Sequence, residues 1–184
     1  KEHIHILDVG CGNGVQTTLL AKELPHAFIT AIDNHEPFVQ TTNITAKGLG
    51  LSDRVEAKCI SMLEMPFDDQ SFDLIWSEGA IDIAGFDNAL RDWKRLLKPQ
   101  GYLICSDLCW LLDNPSAEHK EFWMQESPGM DTVDNKIKQI EKNGYRYHSH
   151  FISPTTDWES YYLPLQKNLD AMSIKYKHNR EAKQ

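Results

Sequence analysis

Apolar positions along the chain form short continuous runs separated by stretches of helical spacing. Residues 4–9 (IHILDV) read as a strand buried on both faces, and residues 27–32 as a second. Between them Val15, Leu19, Leu20 and Leu24 mark the apolar face of a helix closed by Pro25. Another helix is predicted from about Pro37, a favoured first-turn residue, to the break at Gly48-Leu49-Gly50. Residues 55–60 and 72–76 read as the third and fourth strands. Phe86, Leu90, Trp93 and Leu97 then mark an amphipathic helix. Its last turns carry Arg91, Lys94, Arg95 and Lys98, where cations complement the helix dipole. Pro99-Gln100-Gly101 is expected to end it before a fifth strand over 102–106.

Beyond Asp107 the pattern loosens. Residues 108–130 hold Trp110, Phe122 and Trp123 among Pro115, Pro128 and Gly129, as a lid or a short helical insertion would. Val133, Ile137 and Ile140 predict a helix stopped by Gly144, and residues 145–152 alternate like a strand. Thr156 and Glu159 have the spacing of a capping box. Trp158, Tyr162, Leu165, Leu169, Met172 and Tyr176 follow at helical spacing, with Pro164 expected to kink or split that helix.

Strands alternating with helices predict an α/β fold: a doubly wound, Rossmann-like, mostly parallel sheet with helices on both faces. In such sheets ligands sit beyond the carboxyl ends of the strands. Asp8, Asp33, Ser61, Ser77 and Asp107 all fall at or just past strand ends.

Composition narrows the partners. The chain has 184 residues, a length suited to one domain spanning 1–184, and a formal net charge of -8. That balance argues against nucleic acid and anionic membranes. The four cysteines make no Cys-x-x-Cys pair and read as buried free thiols, which points to a reducing, cytoplasmic compartment. No apolar run reaches the ~20 residues of a membrane span. The paired histidines His3/His5 and His148/His150 have no further ligands at metal spacing and read as solvent-facing, so no metal is expected.

The chemistry concentrates in residues 6–14, ILDVGCGNG. Asp8-x-Gly10-x-Gly12-x-Gly14 differs from the dinucleotide fingerprint G-x-G-x-x-G, its third glycine arriving one residue early. Gly10 permits the bend, while Gly12 and Gly14 let a ligand approach the main chain. Asp8 would repel a diphosphate. It suits the ammonium of S-adenosylmethionine, and the N–H groups opening the next helix suit that ligand's carboxylate. Asp33, ending the second strand, stands where an acid binds both ribose hydroxyls.

These residues resemble the first motif of the class I S-adenosylmethionine-dependent methyltransferases. AIDNHEPFV (31–39), MPFDDQSFDLIWSEGAI (65–81) and LLKPQGYLICSD (96–107) resemble their later motifs, in order, over residues 6–107. The likeness is to small-molecule methylases of the ubiquinone/menaquinone type. It implies a cofactor-binding half at 1–107, an acceptor-side half at 108–184, and a lid at 108–130. Gly10, Cys11 and Gly12 would line the methionine moiety, and Gln16 would reach its carboxylate. Asn34, Ser61 and Met62 would flank the adenine. Ser77 and Glu78 would face the sulfonium and the acceptor. Cys11 itself reads as a small packed side chain, not a nucleophile. The family's helices before the first strand and its antiparallel seventh strand have no counterpart here, which predicts a chain trimmed at both ends.

Methyl transfer from a sulfonium needs alignment and exclusion of water more than a protein nucleophile. Glu78 is the candidate base, though binding suits it better, and Asp107 reads as a strand-end cap. Ser77-Glu78-Gly79-Ala80 stands where methylases of nucleobase amines and glutamine amides carry Asn/Asp-Pro-Pro-Tyr, so a small-molecule acceptor is expected. Trp110 and Trp123 belong either to its pocket or to the core, and Tyr161 is a further candidate. Trp158 and Tyr162 read as core. The rival readings are a non-catalytic cofactor-binding partner subunit and, behind it, a nicotinamide-dependent dehydrogenase.

Overall fold

The computed structural model describes residues 3–112 and 114–176; Tyr161 is described by its backbone alone. The chain forms two compact units, Lys1–Tyr147 and His148–Gln184.

The first unit holds five parallel strands: β1 (Ile4–Val9), β2 (Ala27–Asp33), β3 (Val55–Cys59), β4 (Phe72–Glu78) and β5 (Leu97–Ser106). Their order is β3-β2-β1-β4-β5. The order reverses at β1, so the loops after β1 and β4 flank the topological switch point, where open α/β sheets bind ligands. Helices α1 (Val15–Glu23), α2 (Glu36–Gly48), α3 (Ile81–Ala84) and α4 (Phe86–Trp93) connect the strands. β1 is buried on both sides, as its unbroken apolar run requires. Leu7 and Val9 join a core with Ile75, Leu90 and Trp93, while Ile6 joins another with Ala21, Ile29 and Val55.

α1 turns differently from the expected face. Val15 and Leu19 are 60% and 56% exposed, while Thr17, Thr18 and Ala21 are buried. The two threonines can lie inside because both hydroxyls are satisfied. Thr17 donates to Asp8, and Thr18 donates to the carbonyl of Gly14. Arg54 closes the other end of α1, its guanidinium donating to the carbonyls of Ala21 and Ala27 at 2.9 and 3.1 Å. Arg54→Met is therefore expected to cost about 2 kcal/mol, measured by urea unfolding.

β5 begins earlier than expected. Pro99-Gln100-Gly101 is absorbed by a shift in register between Phe72 and Leu74, with Gln100 at a φ of 67°. After β5 come β6 (Cys109–Trp110), α5 (Ala117–Glu126), β7 (Asp131–Thr132) and α6 (Val133–Lys142); β6 and β7 pair in parallel. The stretch expected as lid or insertion thus holds one helix between two short paired strands. Gly144 ends α6 at a φ of 76°, as expected.

Residues 145–152 form no strand. Tyr145 instead folds back, its N–H bonding the carbonyl of Ile140 and its hydroxyl that of Leu90. In the second unit α7 runs unbroken over Thr155–Lys175 with Pro164 inside it. It starts two residues too early for the capping box, with Pro154 rather than Thr156 at the N-cap and no side-chain cap. Its apolar stripe, Trp158, Tyr162, Leu165, Leu169 and Met172, is exposed rather than core, and Trp158 stacks on Tyr162 at 5.8 Å.

Candidate active site

The turn after β1 is pinned from below. The N–H groups of Gly10 and Cys11 both donate to the carbonyl of Ile32, and that of Gly14 to the carbonyl of Cys11. Gly10, Gly12 and Gly14 all have positive φ, at 77°, 54° and 80°. Their tasks differ. A Cβ on Gly10 would lie 2.5 Å from Cβ of Ala80, in the loop after β4. A Cβ on Gly14 would lie 2.5–2.8 Å from the side chain of Thr42 on α2. Gly14 therefore serves packing between α1 and α2, correcting the expectation that it opens the main chain to a ligand. Gly12 alone of the three faces open space within 4 Å.

Asp33 latches this turn. Its Oδ2 accepts from the N–H of Gly12 at 3.0 Å and its Oδ1 from the N–H of His35 at 2.9 Å. A carboxylate has about four acceptor positions, so two remain for a ribose diol.

Asp8 is 2% exposed. Its Oδ2 accepts from Thr17 Oγ1 at 2.6 Å. Burial pushes its carboxyl up to about 6, against the lowering effect of the Thr17 hydroxyl, and the charges of Glu78 and Asp33 add to the rise. Three carboxylates thus surround one glycine turn. Among the described residues no Lys, Arg or His makes an ion pair with any of them. The charge of this cluster favours a cation and disfavours a polyanion. S-adenosylmethionine carries an ammonium and a sulfonium and no phosphate, so its chemistry suits the cluster.

The other expected residues divide. Met62 belongs here, its Cε lying 3.4 Å from the position of a Cβ on Gly10. Ser61 and Asn34 follow β3 and β2 at the carboxyl edge, and Gln16 stands half-buried in the first turn of α1. Cys11 is buried, its thiol pushed up to about 12 by burial and by Asp8 and Asp33, as suits a packed, unreactive side chain. Glu78 ends β4 exposed, beside Gly79, whose N–H bonds Ser106. Ser77 is a correction. It is 0% exposed, and its hydroxyl donates to the carbonyl of Val9, tying β4 to β1 instead of facing a ligand.

Asp107 is the expected cap, Oδ1 accepting from the N–H of Leu108. Its Oδ2 pairs with Lys136, and both side chains are buried. Lys136 also stands over the ring of Phe86, at 4.2 Å. Lys136 and Thr17 escaped the sequence reading. The signal for Lys136 was its place on the apolar face of α6, between Val133 and Ile140.

Trp110 and Trp123 come together, lining one cavity of about 270 Å³ after β5. The side chain of Tyr161 lies outside the described residues.

Fold and glycine turn together define a class I S-adenosylmethionine-dependent methyltransferase fold. The chain belongs to the methyltransferase domain family, which it matches over residues 1–168. It is 26% identical to a sterol 24-C-methyltransferase of Gibberella zeae, over 92% of this chain and 47% of that protein. It is 31% identical to a demethylmenaquinone methyltransferase of Listeria monocytogenes, over 79% of this chain and 73% of that protein. The crystal structure of an S-adenosylmethionine-dependent methyltransferase from Geobacter sulfurreducens, in complex with S-adenosyl-L-homocysteine, superposes with a TM-score of 0.84 at 19% identity. It covers all of this chain and 74% of that one. The chain spans about half the length of the sterol methyltransferases it matches.

Proposed function

We propose that this chain is the catalytic domain of a methyltransferase that passes the methyl group of S-adenosylmethionine to a small-molecule acceptor, releasing S-adenosylhomocysteine. The observation that carries this reading is the cluster of Asp8, Asp33 and Glu78 around an open glycine turn, with no basic partner among the described residues. Relatives named for sterols and for demethylmenaquinone support a small organic acceptor. The net charge of -8 supports the absence of a nucleic-acid partner. Among the described residues no helix is long and apolar enough to cross a membrane. We assign the domain to 1–184 and its setting to the cytoplasm, the family match over 1–168 supporting the first.

Bound S-adenosylmethionine supplies an electrophilic methyl group. Asp8 holds the ligand's ammonium, and Asp33, already braced by Gly12 and His35, holds the ribose. Gly10, Cys11 and Gly12 line its methionine chain, with Gln16 toward the carboxylate. Asn34, Ser61 and Met62 border the adenine. Glu78, exposed at the end of β4, orients the acceptor and takes its proton where the acceptor has one to lose. Trp110 and Trp123 make up the acceptor side.

Asp33→Ala is expected to weaken S-adenosylhomocysteine binding at least about tenfold by calorimetry, through two lost charge-assisted bonds to the ribose. Unchanged affinity would remove the ribose assignment. Methyl transfer from labelled S-adenosylmethionine across a panel of sterols, quinols and phenols tests the whole reading. Cofactor binding with no transfer to any acceptor would instead favour a non-catalytic partner subunit.

A further inference from the structure

The insertion between β5 and α6 has little packing of its own. No residue of its helix, α5, is buried. Its two ends meet in the pairing of Cys109 and Trp110 in β6 with Asp131 and Thr132 in β7. A ladder of two residues is a weak tie by itself. What holds this segment in place has to lie at the stems that flank it.

Asp107 stands just before β6, at the end of β5, and Lys136 stands just after β7, in the first turn of α6. Their side chains form an ion pair and are 7% and 6% exposed. Of the ion pairs among the described residues, this one alone has both side chains buried. The second carboxylate oxygen of Asp107 accepts from the N–H of Leu108 at 2.8 Å, so both oxygens are held. The ammonium of Lys136 also lies 4.2 Å from the ring centre of Phe86, the buried first residue of α4. One lysine thus joins β5, α4 and α6. Beside it Asp131 accepts from the N–H of Thr132 and from the side-chain amides of Asn135 and Gln139, fastening β7 to α6.

A buried ion pair is a weak source of stability, because removing two charges from water costs about what their attraction returns. What it does impose is a single arrangement, since neither charge can be left buried alone. We infer that Asp107 and Lys136 are positioning residues: their ion pair clasps the two stems of the insertion and fixes it, with Trp110 and Trp123, beyond the carboxyl end of β5. The inference rests on the methyltransferase reading for calling these tryptophans the acceptor side, but not for the clasp itself.

The test is hydrogen exchange by mass spectrometry on the full chain, wild type against the double variant Asp107→Asn/Lys136→Met. Asparagine keeps an oxygen for the N–H of Leu108, methionine keeps an apolar stem beside Phe86, and no charge remains buried. Lys136→Met alone leaves an unpaired buried carboxylate and is the harsher change. The amides of residues 114–132 are expected to be protected in the wild type and to exchange at least about tenfold faster in the double variant. β1 and β4 should keep their protection, and S-adenosylhomocysteine should bind within about twofold of wild type by calorimetry. Residues 114–132 that are unprotected in the wild type, unchanged in the double variant, or accelerated no more than β1 and β4 overturn the inference, while cofactor binding stands. The expected local loss of protection in a chain that does not bind S-adenosylhomocysteine supports the clasp and removes the methyltransferase reading instead.

Discussion

Asp8→Asn is expected to make the chain more stable and, at the same time, a poorer binder of S-adenosylhomocysteine. The buried carboxyl of Asp8 is raised from 3.8 to about 6, so between those pH values the folded chain binds more protons than the unfolded one. Its contribution to stability is therefore full below about pH 4 and is lost as the pH rises through 6. At pH 7 the ionised group costs up to about 3 kcal/mol, from a shift of roughly two units at ~1.4 kcal/mol each. Asparagine has nearly the same shape, can still accept from Thr17, and carries no charge to bury. Urea unfolding at pH 7 should show a gain approaching that figure, and one much smaller at pH 4. Calorimetry should show S-adenosylhomocysteine binding weakened about a hundredfold, because a charge-assisted bond to its ammonium is gone.

Gly12→Ala and Gly14→Ala should separate binding from folding. Both glycines have positive φ, so each alanine carries a backbone strain of about 1–2 kcal/mol. At Gly14 the new methyl also meets Thr42 at 2.5–2.8 Å, in a contact between two helices. The combined loss is expected to exceed about 3 kcal/mol and to appear as a lower melting temperature. At Gly12 the methyl enters open space. That variant should fold with the strain cost alone, yet bind S-adenosylhomocysteine at least about tenfold less well, since the methyl occupies the ligand's path along the main chain. Equal melting temperatures in the two variants would contradict the division of roles.

Much of the first unit was legible because period and punctuation agree there. β1 is a run of apolar residues ended by glycines, and α4 carries an apolar face of the right period with cations in its last turn. What the sequence could not show was which face of α1 turns inward. Val15 and Leu19 looked like core, but Thr17 and Thr18 lie inside once Asp8 and the carbonyl of Gly14 are there to receive their hydroxyls. Ser77 failed for the same reason: its distance to Val9 is set by strand pairing, which no local pattern encodes. In the second unit the stripe of α7 was read correctly as helical, but periodicity alone does not say whether a stripe is covered. In the site, the positions of Asp8, Asp33 and Gly12 beside one turn were legible because their types and spacing carry chemistry. Gly14 was not, since its contact with Thr42 depends on how α2 packs against the start of α1.

The most direct measurement is calorimetric titration of the chain with S-adenosylmethionine and, separately, with NAD across pH 5 to 7.5. A site built around unpaired carboxylates should bind S-adenosylmethionine, with affinity rising as Asp8 ionises and levelling off above about pH 6.5, and should give no heat with NAD. Binding of NAD, or an affinity for S-adenosylmethionine that stays flat across this range, would contradict it.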